Sequence, residues 1–379
     1  MRVCPWIVCV AFLAACSSSS EPVSTNKPAA APPAVEPPAV ECGDGTYLTS
    51  ANACEKFPAL SIKRATAVIA PVRDHHTSTV IETAAGPYLY VFGGTDDWTV
   101  IHSDIQRAKI HEDGTLDAFE PAGKLKEPRA GHCLEYLKDK LLLAGGIVPA
   151  AGKMGPSTSS VLLEVSSSGQ IAEVGPGPNL PKAVMHLTCD VLGDHVYALG
   201  GRGADSKSTT MSVRAKVSAD GSLGAFEAQT PLKPDRSHHA SFARDKRLYV
   251  LGGLTGNPAG DYLDHSDAIV ATIDADGNLG DWSAAGKLPN ALGVTSAQIY
   301  KDAVYVFGGL EGDTFSDKIR RATFQPDGML TAFATLPGVL PDGRGHVHET
   351  PMYKTLIFSV GGQDNAQKSL GTVDVGRFE

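Results

Sequence analysis

A Gly-Gly pair constrains this chain more than any other feature. It stands at Gly93-Gly94 and returns at Gly145-Gly146, Gly200-Gly201, Gly252-Gly253, Gly308-Gly309 and Gly361-Gly362. Successive first glycines are 52, 55, 52, 56 and 53 residues apart. Each pair closes a short apolar run of the kind YLYVFGG, RLYVLGG or AVYVFGG. Such a run reads as a buried strand, and the glycines after it as backbone positions that a side chain would spoil. A period near 50 in a Gly-rich, strand-rich chain specifies a ring of four-stranded blades, a β-propeller.

These six flanked pairs make the chain resemble a kelch-repeat protein over roughly residues 58–379. The resemblance implies an all-β, six-bladed propeller with four antiparallel strands per blade. One repeat is traced from Arg236. SHHASFA is the first strand, Asp245-Lys246 a tight turn and RLYVLGG the second strand. A loop over 254–266 leads to DAIVATI as the third strand. Asp276-Gly277 is a hairpin turn, and NLGDWS the fourth strand. The turn recurs as Asp113-Gly114, Ser168-Gly169, Asp220-Gly221 and Asp327-Gly328. Near Asp274 the sequence imitates a calcium loop, but its glycine is misplaced for one and the position recurs as a plain turn.

The repeat count is uneven. Six Gly-Gly strands are followed by only five turn-plus-fourth-strand units, and the chain stops at a third strand ending in Glu379. Leu60 precedes His76 by 16 residues, as Leu116 precedes His132, Leu223 precedes His239 and Leu330 precedes His346. Residues near 60–69 are therefore an orphan fourth strand, expected to pair with the C-terminal strand and close the ring. Closure removes two exposed strand edges.

Ahead of the repeats the composition changes. Residues 1–15 carry one basic residue and an apolar run too short to span a bilayer, and Leu13-Ala14-Ala15 leads directly into Cys16. This is similar to a bacterial lipobox, which implies lipidation of Cys16 and an anchor at the cell envelope. Residues 16–41 are Ser-, Pro- and Ala-rich, a tether. Residues 42–57 form a small segment in which Cys42 and Cys54 are expected to bond in an oxidising compartment. Cys133 and Cys189 sit in strands of successive repeats. Counted from the preceding His they share a face; counted from Gly-Gly they do not, so two buried thiols are expected. A formal charge of −9 with no basic run argues against a nucleic-acid partner.

Two features bear on function. The second-to-third-strand loops differ from blade to blade, beginning with the loop that holds Asp96, Asp97 and Trp98. Variable loops on a rigid frame are where recognition concentrates. The links into each first strand carry a second column: Arg73 with His76, Arg129 with His132, Arg236 with His239, and Arg344 with His346, while the third repeat has Lys182 and His186. This column reads either as a cationic and imidazole ring at the channel mouth, suited to a carboxylate or acidic peptide, or as groups holding blades in register. His75-His76 and His238-His239 are neighbours on strands and point to opposite faces. His346 and His348 share a face but show no third ligand, so neither a metal nor another cofactor is expected.

Kelch-like frames include a copper oxidase of galactose and a sialic-acid mutarotase. The pair nearest the oxidase's Cys–Tyr crosslink, Cys133 and Tyr136, faces opposite ways on a strand. No nucleophile motif or telling carboxylate spacing stands out. The expectation is a monomeric, non-enzymatic binding or scaffold module at the bacterial envelope, with an envelope protein or glycan as its ligand. A carbohydrate-active enzyme on the same frame is the alternative.

Overall fold

A computed structural model describes residue 42, residues 46–49, 53–150, 153–259 and 262–379. The expected leader, lipidated Cys16 and tether lie outside the described residues. Those described are all strand, turn and loop, arranged like a propeller. One eight-stranded sheet consists of two four-strand halves joined by a single parallel bridge, Ile171 to Gly123. Four further sheets have four strands each, and five small two-stranded ribbons account for the other strands among the described residues.

The repeat traced from Arg236 illustrates how sequence becomes sheet. Ala240–Arg244 pairs antiparallel with Arg247–Leu251, which pairs with Asp267–Thr272. The middle strand is apolar at nearly every position, because both its faces pack against neighbouring sheets. The fourth strand departs from expectation. It is Ser283–Lys287, starting at the last residue of NLGDWS, whose earlier part contributes only an isolated bridge between Ile273 and Leu279. The hairpin expected at Asp276-Gly277 is instead the tip of a wider loop, closed by Gly277 N–H to Asp274 O and Asp274 N–H to Asn278 O. That loop latches blades together: Tyr197 OH donates to Gly277 O at 2.7 Å, as Tyr90 does to Gly169 and Tyr249 to Gly328.

The glycine pairs are where neighbouring sheets touch backbone to backbone. A Cβ on Gly93 would stand 2.2 Å from Arg129 O, and one on Gly94 2.7 Å from Asp74 O. Both glycines hold positive φ. The N–H of each second glycine donates to a carbonyl in the next repeat: Gly94 to Arg129, Gly146 to Val184, Gly201 to Arg236, Gly253 to Leu292, Gly309 to Arg344 and, returning to the start, Gly362 to Arg73.

The ends meet as the uneven repeat count requires. Leu60–Val68 pairs antiparallel with Thr372–Phe378, with Ile62 opposite Gly376. Lys63, which stands in that strand, is exposed. Arg64 binds Asp374 at 2.5 Å and Asp342 at 2.6 Å, which pins the strand's polar side. In the small N-terminal segment Cys42 and Cys54 are bonded, with Cα atoms 5.5 Å apart.

Cys133 and Cys189 are also bonded, with Cα atoms 5.6 Å apart, which corrects the expectation of two thiols. The reason lies in the criterion. Equivalent strands of adjacent sheets turn opposite faces toward their shared interface, so a bond across it needs an odd offset, not a common face. The Gly-Gly count gives that offset. Both cysteines sit in one apolar cluster with Leu142, Ala144, Val196 and Ala198.

Candidate functional site

The links into the first strands build the channel mouth. Each is stitched to the residue following a Gly-Gly pair: Asp74 bridges Thr95, Ala130 bridges Ile147, Met185 bridges Arg202, Ser237 bridges Leu254, Gly293 bridges Leu310 and Gly345 bridges Gln363. The residue after each bridge turns left-handed: His75, Gly131, His186, His238, Val294 and His346 all have φ between 52° and 58°. Their backbones link around the axis. Gly131 N–H donates to His75 O, His186 to Gly131, His238 to His186, Val294 to His238, and His75 to His346, at 2.7 to 3.1 Å.

This kink separates the histidines into two sets that the sequence merges. His75, His186, His238 and His346 project to the axis. The His75 and His346 rings stack at 3.8 Å, His186 and His238 lie 3.8 Å apart, and His75 and His186 5.0 Å. Burial holds these four imidazoles well below their ordinary pKa, so they are neutral at physiological pH. His348 follows just beyond, lowered by burial to about 4. His76, His132 and His239 instead lie buried between sheets. His132 Nε2 bonds Thr77 Oγ1 and His239 Nε2 bonds Thr188 Oγ1, each at 2.8 Å.

The arginine column does not reach the mouth either. Arg73, Arg129, Arg236 and Arg344 are at most 1 % exposed. Each donates to the carbonyl of a first glycine: Gly93, Gly145, Gly252 and Gly361. Arg73 and Arg236 also grip Asp104 and Asp267 through two nitrogens each. Arg344 pairs with Asp374 at 2.6 Å. These guanidiniums fix the Gly-Gly strands, which is the register-holding alternative of the two readings of this column. Their side chains turn inward because the glycine carbonyls left unpaired by the strand ends need donors.

Above the imidazoles is a cavity of about 420 Å³. Asp97, Trp98, Arg202, Tyr262 and Gln363 line it together with the axial histidines. Its loops are folded. Thr95–Asp96 pairs with Val100–Ile101, and Thr99 N–H donates to Asp96 O across Asp97 and Trp98, both at positive φ. This tight I′-like turn holds the half-exposed Trp98 ring 4.5 Å from His75. Asp97 accepts from Ser369 N–H at 2.6 Å and from Lys368 Nζ at 3.0 Å, which lowers its pKa. Arg202 donates to the Tyr262 hydroxyl, and its guanidinium lies 5.6 Å from the ring centre. Asp96 is half-buried at the ribbon's edge, its carbonyl engaged by Thr99.

Deeper along the channel a second cavity, about 300 Å³, holds Glu135, Asp190, Glu349 and His348. Burial raises Glu135 and Glu349 well above the usual carboxylate range, and Asp190 also raises Glu135. Burial pushes Asp190 up to about 7, opposed by a hydrogen bond from Ser241. Ser78 N–H donates to Glu349 at 3.0 Å. No carboxylate spacing in the sequence signals this group, because its members come from three separate repeats. His75 and His238 were equally hidden; the signal that points to them is the doubled His after Arg in two repeats.

No family model matches the chain. Two curated relatives do: beta-scruin of Limulus polyphemus, 24 % identical over 239 residues, and a kelch-like protein of Aspergillus terreus, 25 % identical over 246. Each match covers 62 % of this chain but only 25 % and 50 % of those proteins. The solved structure of YjhT superposes with a TM-score of 0.61 at 12 % identity, covering 81 % of this chain and 95 % of its own. The recurrent Gly-Gly contacts and these likenesses agree. The chain is a kelch-type β-propeller. In this kelch propeller the loops that carry Trp98 and Tyr262, not the Arg column, make the accessible surface of the mouth.

Proposed function

We propose that this kelch propeller is a six-bladed, envelope-anchored binding or scaffold module that takes its ligand at the loop end of the channel. The blade count treats the eight-stranded sheet as two blades beside the four separate sheets. The anchor rests on the apolar start ending at Cys16. The observation that carries the binding role is the mouth cavity, where Trp98 and Tyr262, 47 % and 45 % exposed, stand beside Arg202. Aromatic rings next to a guanidinium suit a sugar ring or apolar side chain that bears an anionic group.

Screening the chain against glycans and envelope extracts tests this, with Trp98→Ala and Arg202→Ala compared with the parent. Each substitution should weaken binding about tenfold or more. Ligand capture that both variants leave unchanged would reject the mouth as the site. A carbohydrate-active enzyme is the second reading, favoured by one observation: Glu135, Asp190 and Glu349 break the blade repeat and converge in the channel. Turnover of a bound glycan, abolished by Glu349→Gln, would establish it.

A further inference from the structure

We propose that His75, His186 and His238 bind one divalent transition-metal ion, of the zinc type, at the channel mouth. One ring nitrogen from each lies within 4.8 Å of the others. Three imidazoles around one zinc, each about 2.0–2.1 Å from the ion, stand roughly 3.4 Å apart. Rotation of the rings about their side-chain bonds is the movement that binding would require to close the difference.

The surrounding residues fit this use. Asp74 Oδ1 holds His75 Nδ1, and Ser369 Oγ donates to the other Asp74 oxygen at 2.6 Å. Ser237 Oγ sits 3.0 Å from His238 Nδ1. His75 and His238 are thereby oriented through Nδ1 with Nε2 left over, the arrangement by which a second layer of partners directs a metal-binding histidine, while His186 is placed by packing against its neighbouring rings. His75 Nε2 and both nitrogens of His186 are buried without a hydrogen-bond partner. Buried nitrogens left so carry a desolvation cost, which a bound ion relieves.

The set also departs from the blade repeat. Between His75 and His186 the equivalent ring position is Gly131. A Cβ there would stand 2.6 Å from His186 Cδ2 and 2.9 Å from Nε2. Glycine at that position lets the His186 ring lean across it toward His75. The fourth equivalent histidine, His346, stacks flat on His75 and lies outside the group. The three histidines line the same cavity as Trp98 and Arg202, which leaves room for a water or an anionic ligand group at the fourth position.

The test uses the full chain after chelator treatment, titrated with Zn²⁺ by calorimetry and with Co²⁺ by visible absorption. One ion per chain is expected. His186→Asn keeps the left-handed backbone accessible and should weaken binding about 100-fold or more. Asp74→Asn should weaken it about 10–100-fold. His132→Asn, between sheets, should leave it unchanged. Cu²⁺ bound to the unaltered chain should show three nitrogen ligands by electron paramagnetic resonance, a readout that does not depend on any variant folding. No stoichiometric ion, equal affinity in a folded His186→Asn protein, or fewer than three nitrogens would overturn the proposal.

Discussion

Replacing Asp190 with Asn should make the propeller more stable at pH 8 and change it little at pH 4. Asp190 is 7 % exposed, and burial moves its carboxyl from an ordinary 3.8 to about 7. In the unfolded chain it ionises near the ordinary value. Between these two values the folded state therefore holds a proton that the unfolded state has released. Stability falls as pH rises from about 4 to about 7, and the loss is constant above that. A difference of three pKa units corresponds to about 4 kcal/mol. Asn carries no such proton and still accepts the hydrogen bond of Ser241. Glu135, Glu349 and His348 line the same cavity, so part of the gain is shared with them. For a domain of roughly 320 residues, 4 kcal/mol raises Tm by about 6 °C. Calorimetric melts of parent and variant across pH 4–8 give the difference directly. The expected difference grows with pH and reaches a plateau above pH 7. An equal shift at pH 4 and pH 8, or a lower Tm for the variant at pH 8, would refute the account of a buried, proton-holding carboxyl.

Two further outcomes follow from the fold. Arg236→Ala strips the donors from Gly252 O and Asp267, and should cost about 3–5 kcal/mol, read as a Tm loss with no change in the loop surface; an unchanged melt would return that arginine to the mouth. Deleting residues 17–56 should lower Tm by no more than about 3 °C, because it leaves Leu60–Val68 and its pairing with Thr372–Phe378 in place. Deleting 17–70 removes the strand opposite Thr372–Phe378 and should give a steep Tm loss or insoluble protein; equal melts for the two deletions would reject closure by the chain's own beginning.

How far the sequence alone reaches is set by the range of the forces involved. The strand pattern, the Gly-Gly contacts and the pairing of Leu60–Val68 with the C-terminal strand were legible, because they follow from local alternation and from a count of repeats. Hydrophobic period and backbone sterics act over a few residues, so the sequence records them directly. The fourth strands were misplaced because the turn at Asp276-Gly277 is a wider loop, whose latch to Tyr197 of the neighbouring blade no local rule contains. The site needed the tertiary structure. A left-handed kink at His75 and His238, imposed by the bridges at Asp74 and Ser237, sends one histidine of each adjacent pair to the axis and the other between sheets. Glu135, Asp190 and Glu349 meet only because the ring brings together strands far apart in the chain, and the bond between Cys133 and Cys189 forms because adjacent sheets present opposite faces to one another.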